Sequence, residues 1–156
     1  MRVIFLDIDG VLNSYETIDR NFDYPELDPR NLQVLKQIVD DSEAKPILIS
    51  SWKDDWTNLD GTESKSQQLI RYQMQEAGLD VFACIDDRGA NRGEGIRKWI
   101  SENHPETWCV LDDQIFSDYY TYEILDHVVQ TGYRDGGLQK KHIGMIVELL
   151  MFMEKM

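Results

Sequence analysis

Two aspartates with a single residue between them, Asp7 and Asp9, directly follow the apolar run Val3-Ile4-Phe5-Leu6 and directly precede Gly10. A carboxylate buried without a partner is costly and either takes up a proton or finds a cation. Two at the end of a buried strand therefore point to a metal or phosphate site. A second acidic pair, Asp112-Asp113, closes the apolar run Thr107 to Leu111, and the hydroxyls Ser50-Ser51 close a third, Lys45 to Ile49. Three apolar runs thus end in groups that bind cations or phosphate oxygens.

The intervening segments decide whether those ends can meet. Asp28-Pro29 reads as a helix start, with Asp at the cap and Pro in the first turn, and Leu32, Leu35, Ile38 and Val39 continue one apolar face to about Asp40. Ser64 and Gln67 fit a capping box for a second helix, carried by Leu69, Ile70, Met74 and Ala77 and ended by Gly78. Val81 to Ile85 reads as a third strand. Arg88 to Gly95 is glycine-rich and polar, hence a loop, and Ile96, Trp99 and Ile100 mark a third helix ending at Asn103-His104-Pro105. His127 to Gln130 is a short fifth strand, and Ile143, Ile146, Val147 and Leu150 line a closing helix. Ser14 to Leu27 and Trp52 to Thr62 read as loops. Strands alternating with amphipathic helices predict an α/β fold: a three-layer Rossmann-like sandwich with a mostly parallel five-stranded sheet and helices on both faces. In such sheets ligands collect beyond the carboxyl ends of the strands, where strand order reverses.

Composition narrows the function classes. A chain of 156 residues fits one domain, read as residues 1–156, and 42% hydrophobic with 29% charged residues is a globular composition. No apolar run approaches the roughly 18 residues of a membrane span, and the N-terminus lacks the pattern of a signal peptide. A cytoplasmic protein is expected. A net charge of −13, with no basic cluster longer than Lys140-Lys141, argues against an extended nucleic-acid footprint. Cys84 and Cys109 lie in apolar stretches and are expected as reduced core residues. His104, His127 and His142 lack ligand spacing, which disfavours zinc.

Asp7-Ile8-Asp9-Gly10-Val11 resembles the first motif of the haloacid-dehalogenase-like (HAD) hydrolases. Ile47-Leu48-Ile49-Ser50 resembles the second and Val110-Leu111-Asp112-Asp113 the fourth. Arg92 is the best match to the basic third motif, with Lys98 and Arg88 as alternatives. More narrowly, Leu6 to Asn13, Ile49 to Trp52, Glu94 to Ile100 and Leu111 to Asp113 resemble the small HAD domains of bacterial and phage proteins, some attached to RNA-repair modules. The chain has Lys53 where such domains often have Arg.

The resemblance implies a phosphomonoesterase. Asp7 would attack phosphorus and become an aspartyl phosphate, while Asp9 would protonate the leaving oxygen and later activate water. Mg²⁺ would be held by the Asp7 carboxylate, the Asp9 backbone carbonyl and Asp113, with Asp112 acting through water. Ser50, or equally Ser51, would donate to a phosphoryl oxygen. Arg92 would add positive charge there, and backbone N–H groups near Gly10 would complete the cradle. Asp118, five residues after Asp113, is a further candidate acid, with an exposed loop position as its plain alternative. Trp52 and Trp56 would line the pocket mouth or pack the loop.

No segment is long enough for the cap domain of larger HAD members. An open site suits an exposed phosphate on a nucleic-acid end or a phosphoprotein, while the acidic charge favours small or protein substrates. The function classes carried forward are a Mg²⁺-dependent phosphomonoesterase, its polynucleotide 3′-end version, and a non-catalytic binding or regulatory module on the same fold.

Overall fold

The computed structural model describes residues 1–17, 27–56, 64–87 and 91–152. Parts of the expected loops at Ser14 to Leu27, Trp52 to Thr62 and Arg88 to Gly95, including Arg88 itself, lie outside the described residues.

Five strands, β1 (Arg2–Leu6), β2 (Lys45–Leu48), β3 (Ala83–Cys84), β4 (Thr107–Asp112) and β5 (Val128–Gln130), form one sheet in the order β3-β2-β1-β4-β5. Every pairing is parallel. The strands are apolar throughout because both faces are covered. Alternation assigns the faces: Ile4, Leu6, Leu48, Cys109, Leu111 and Val129 pack with α1 (Pro29–Ser42), α2 (Lys65–Glu76) and α5 (Ile143–Met151). Val3, Phe5, Ile47, Trp108 and Val110 pack with α3 (Arg92–Asn103) and the one-turn α4 (Asp118–Thr121). The result is the expected Rossmann-like sandwich. Its strand order reverses between β1 and β4, which is where such folds bind ligands.

The helix punctuation follows the sequence closely. Asp28 accepts from the Arg30 backbone N–H at 2.9 Å to cap α1. Ser64 and Gln67 form a reciprocal capping box on α2. Gly78, at φ +74°, ends α2 in a Schellman pattern, with Leu79 N–H donating to Met74 C=O.

Three boundaries differ. β2 stops at Leu48 because Ser50 diverts the chain into a 3₁₀ turn, Ser51–Asp55. The third strand pairs over two residues, being an edge strand with a neighbour on one side only. The segment from Arg88 to Gly95 is not all loop: α3 begins at Arg92, and its glycines serve close packing, since a Cβ at Gly93 would lie 2.8 Å from the Asp118 carboxyl and one at Gly95 2.8 Å from Asp87 Cβ. Among the described residues there is no cap domain, and no helix is long and apolar enough to cross a membrane.

Candidate active site

Parallel register brings the acids together. Leu6 pairs with Leu111, and the Asp7 N–H donates to Leu111 C=O at 2.9 Å, so the next residues, Asp7 and Asp112, continue side by side. Alternation after Val3 and Phe5, and after Trp108 and Val110, turns both toward the face covered by α3. Arg92, the first residue of α3, lies above them: its Nη1 is 3.1 Å from Asp112 Oδ2 and 3.7 Å from Asp7 Oδ1. The Arg92 guanidinium rests on the Phe116 ring. Lys98, farther along α3, is exposed. Of the three basic alternatives, Arg92 is the one brought to the acids among the described residues.

Asp112 is fully buried, and protein donors occupy both of its oxygens. Tyr119 O–H at 2.7 Å and Arg92 reach Oδ2, and the Gln114 N–H reaches Oδ1 at 3.0 Å. Burial, and then the neighbouring Asp112 charge, hold the Tyr119 phenol protonated well above its usual range, which keeps it a donor. Asp113 is half-buried and lies against Gly10, where a Cβ would come 2.4 Å from its Oδ2. At φ +81° the backbone there also disfavours a side chain. Glycine at this position is thus required by the approach of Asp113.

Asp7, Asp112 and Asp113 each offer a carboxylate oxygen, all within 4.8 Å of one another. Their electrostatics ask for a cation. Burial, followed by the charge of Asp112, pushes the Asp7 pKa up to about 8, against the opposing pull of Arg92 and the Ile8 N–H. Asp113 is also raised, mainly by burial. Burial works against the charge on Arg92, but Asp7 and Asp112 outweigh it and keep the guanidinium charged. A compact all-oxygen set, short of positive charge, fits a hard divalent cation such as Mg²⁺.

Asp9 is treated differently. Its carboxylate is exposed and stands outside the three-acid group. Oδ1 accepts from Asn13 Nδ2 and Oδ2 from Trp52 Nε1, both at 3.1 Å. The Gly10 N–H donates to Asn13 Oδ1 at 2.9 Å. That donor, expected to help cradle phosphate, is therefore already engaged by Asn13.

Ser50 is buried at the end of β2, and its hydroxyl oxygen accepts from the Trp52 N–H at 3.3 Å, so the capping alternative is realised. Its hydroxyl hydrogen is a separate donor function. Ser51 is exposed. Lys53 is almost fully buried and pairs with Asp87 at 2.9 Å. Asp118 corrects the exposed-loop alternative: it is buried and accepts from the Glu94 N–H at 3.0 Å, pinning the start of α3. Trp56 packs in the core, whereas Trp52 reaches Asp9. Cys84 and Cys109 are free thiols. His127 stacks on Trp108 at 3.7 Å, and no histidine joins the acid group.

Sequence reasoning missed Tyr119, Gln114 and the Thr131 hydroxyl, which donates to Gly10 C=O at 2.6 Å. Tyr119 lies on an isolated turn with no periodic signal. Asn13, inside the first acidic stretch, carried a polar side chain just after apolar Leu12 and was the one visible clue.

A family model described as the HAD domain in Swiss Army Knife RNA repair proteins matches residues 3–143. The chain belongs to this HAD family. The match runs from β1 to the start of α5 and so covers every strand and all the acids above. Neither a curated protein nor a solved structure gives a significant match. Family membership points to a phosphohydrolase type of function, and the buried acids of this HAD domain form a group able to hold a metal.

Proposed function

We propose that residues 1–156 form a single cytoplasmic, Mg²⁺-dependent phosphomonoesterase domain working through a phosphorylated Asp7. The observation that carries this reading is the convergence of Asp7, Asp112 and Asp113 within 4.8 Å beneath Arg92. The Asp7 and Asp113 carboxylates, with the Asp9 backbone carbonyl, would hold Mg²⁺. Asp112, with protein donors on both oxygens, holds Arg92 and Tyr119 and would act on the ion through water. Bound Mg²⁺ would offset the charge of the acids and of the phosphoryl oxygens.

An Asp7 oxygen attacks phosphorus, and the bond from phosphorus to the ester oxygen breaks. Asp9 gives that oxygen its proton. Water then attacks the phosphorus of phospho-Asp7, Asp9 takes a proton from it, and inorganic phosphate leaves with Asp7 restored. Arg92 supplies positive charge to the phosphoryl group and steadies Asp7, while the Ser50 hydroxyl, or Ser51, donates to a phosphoryl oxygen.

A nucleic-acid 3′-phosphate is the favoured specialised substrate, supported by the RNA-repair setting of the family and the absence of a cap among the described residues. The test is turnover of a panel holding an aryl phosphate, sugar phosphates, nucleotides and a 3′-phosphorylated oligonucleotide, with Mg²⁺ and with EDTA. EDTA-sensitive hydrolysis, fastest on the oligonucleotide, is expected. No turnover on any member, with Mg²⁺ still bound, would overturn the enzymatic reading in favour of a binding or regulatory module.

A further inference from the structure

Asp9 follows Asp7 by two residues, yet its carboxylate stays out of the three-acid group. A carboxylate two residues from an acid of a metal-binding group is a potential further ligand for a hard divalent cation. Something must hold it away, and two donors from different parts of the chain do so.

Asn13 is buried, and its amide is used at both ends: Oδ1 takes the Gly10 N–H and Nδ2 donates to Asp9 Oδ1. It thereby ties Asp9 to the turn whose glycine sits against Asp113. Trp52 comes from the 3₁₀ turn that Ser50 caps at the end of β2, and its indole N–H reaches Asp9 Oδ2 at 3.1 Å. One donor is local, and the other crosses between strand ends.

The geometry points to Trp52 and Asn13 as a positioning pair that keeps the Asp9 carboxyl outside the metal group and turned for proton transfer. Each carboxylate oxygen has two acceptor sites, so one donor on each still leaves room for the proton that Asp9 delivers. Neutral donors fix orientation without adding a charge. The kinetic consequence rests on the phosphatase reading; the clamp itself does not.

The Trp52→Phe variant keeps an aromatic ring and removes the N–H. Its kcat/KM on an alkyl phosphate, which reports the steps up to departure of a leaving oxygen that needs a proton, is expected to fall about 10- to 100-fold. On dinitrophenyl phosphate, whose leaving group departs without one, kcat/KM should fall less than about 3-fold, with the Mg²⁺-induced rise in Tm little changed. The readout is kcat/KM and not kcat, because hydrolysis of phospho-Asp7 needs Asp9 with either ester. Equal losses on both esters would mean a general structural effect and would overturn the proposal, as would no loss on either. A second readout needs no turnover: the indole N–H resonance absent from the ¹H–¹⁵N spectrum of Trp52→Phe should shift in Asp9→Asn. An unmoved resonance overturns the clamp. If the wild-type protein hydrolyses neither ester with Mg²⁺, the indole resonance alone decides the clamp; the phosphatase reading fails only if the whole panel, the 3′-phosphorylated oligonucleotide included, also shows no turnover.

Discussion

Each of the two central strands ends in a pair of aspartates, and the pairs are built differently. Just after β1 the acids are separated by Ile8; at the end of β4 they are adjacent. Within each pair one acid, Asp7 or Asp112, lies beneath Arg92, and the other, Asp9 or Asp113, is more open to solvent. The occupied oxygens separate the roles further. Asp112 has three protein donors on its carboxylate and little capacity left. Asp7 has the Ile8 N–H, a guanidinium 3.7 Å away and a raised pKa, which is the state of a group waiting for a cation or a phosphoryl group. Burial alone does not distinguish them, since both are buried. The inventory of donors does.

The strongest way to break this comparison is Asp7→Asn, which removes the attacking oxygen and should lower turnover by about 10³-fold or more. Residual activity near wild type would make the four acids interchangeable.

Asp9→Asn and Asp113→Asn should part company. Asp9→Asn is expected to cost roughly 10²- to 10⁴-fold in kcat with Mg²⁺ affinity retained. Asp113→Asn should instead raise the Mg²⁺ concentration needed for half-maximal activity by about 10- to 100-fold. Mg²⁺ titrations of activity and of Tm separate the two.

Arg92→Met leaves Asp7 and Asp112 buried without their shared cation. A loss of about 3 kcal/mol in stability, partly recovered by Mg²⁺, is expected in chemical denaturation.

The pH dependence gives a smaller effect. The folded chain holds a proton on Asp7 up to about pH 8, whereas the unfolded chain loses it near 3.8. Between those values the folded state binds the extra proton, so the stability of the metal-free protein falls as pH rises through that window. Asp7→Asn should flatten the fall in Tm scans with EDTA. Mg²⁺ must displace the same proton, so its affinity should rise by up to about tenfold per pH unit until about pH 8.

Much of this was legible in the sequence because the governing rules are local. Asp28-Pro29, Ser64 with Gln67, and Gly78 each announced a helix end through backbone chemistry confined to a few residues. The acids were legible because an apolar run ending in carboxylates is costly without a reason. Tyr119 and Trp52 were not, because their roles depend on which turn lies over which strand end. Asp118 was misleading in isolation: its burial follows from the glycine start of α3, a close approach between segments some 24 residues apart. The N–H of Gly10 could not be assigned from its neighbours, since Asn13 takes it.

The most direct test of phosphoryl transfer to Asp7 is an acid quench during turnover of a phosphate ester with Mg²⁺, followed by peptide mass analysis. A hydroxylamine-labile gain of one phosphoryl group on the peptide containing Asp7, absent in Asp7→Asn, is the expected result. Brisk Mg²⁺-dependent turnover, with single-turnover quenches spanning the reaction and no phosphoryl group ever found on Asp7, would contradict it.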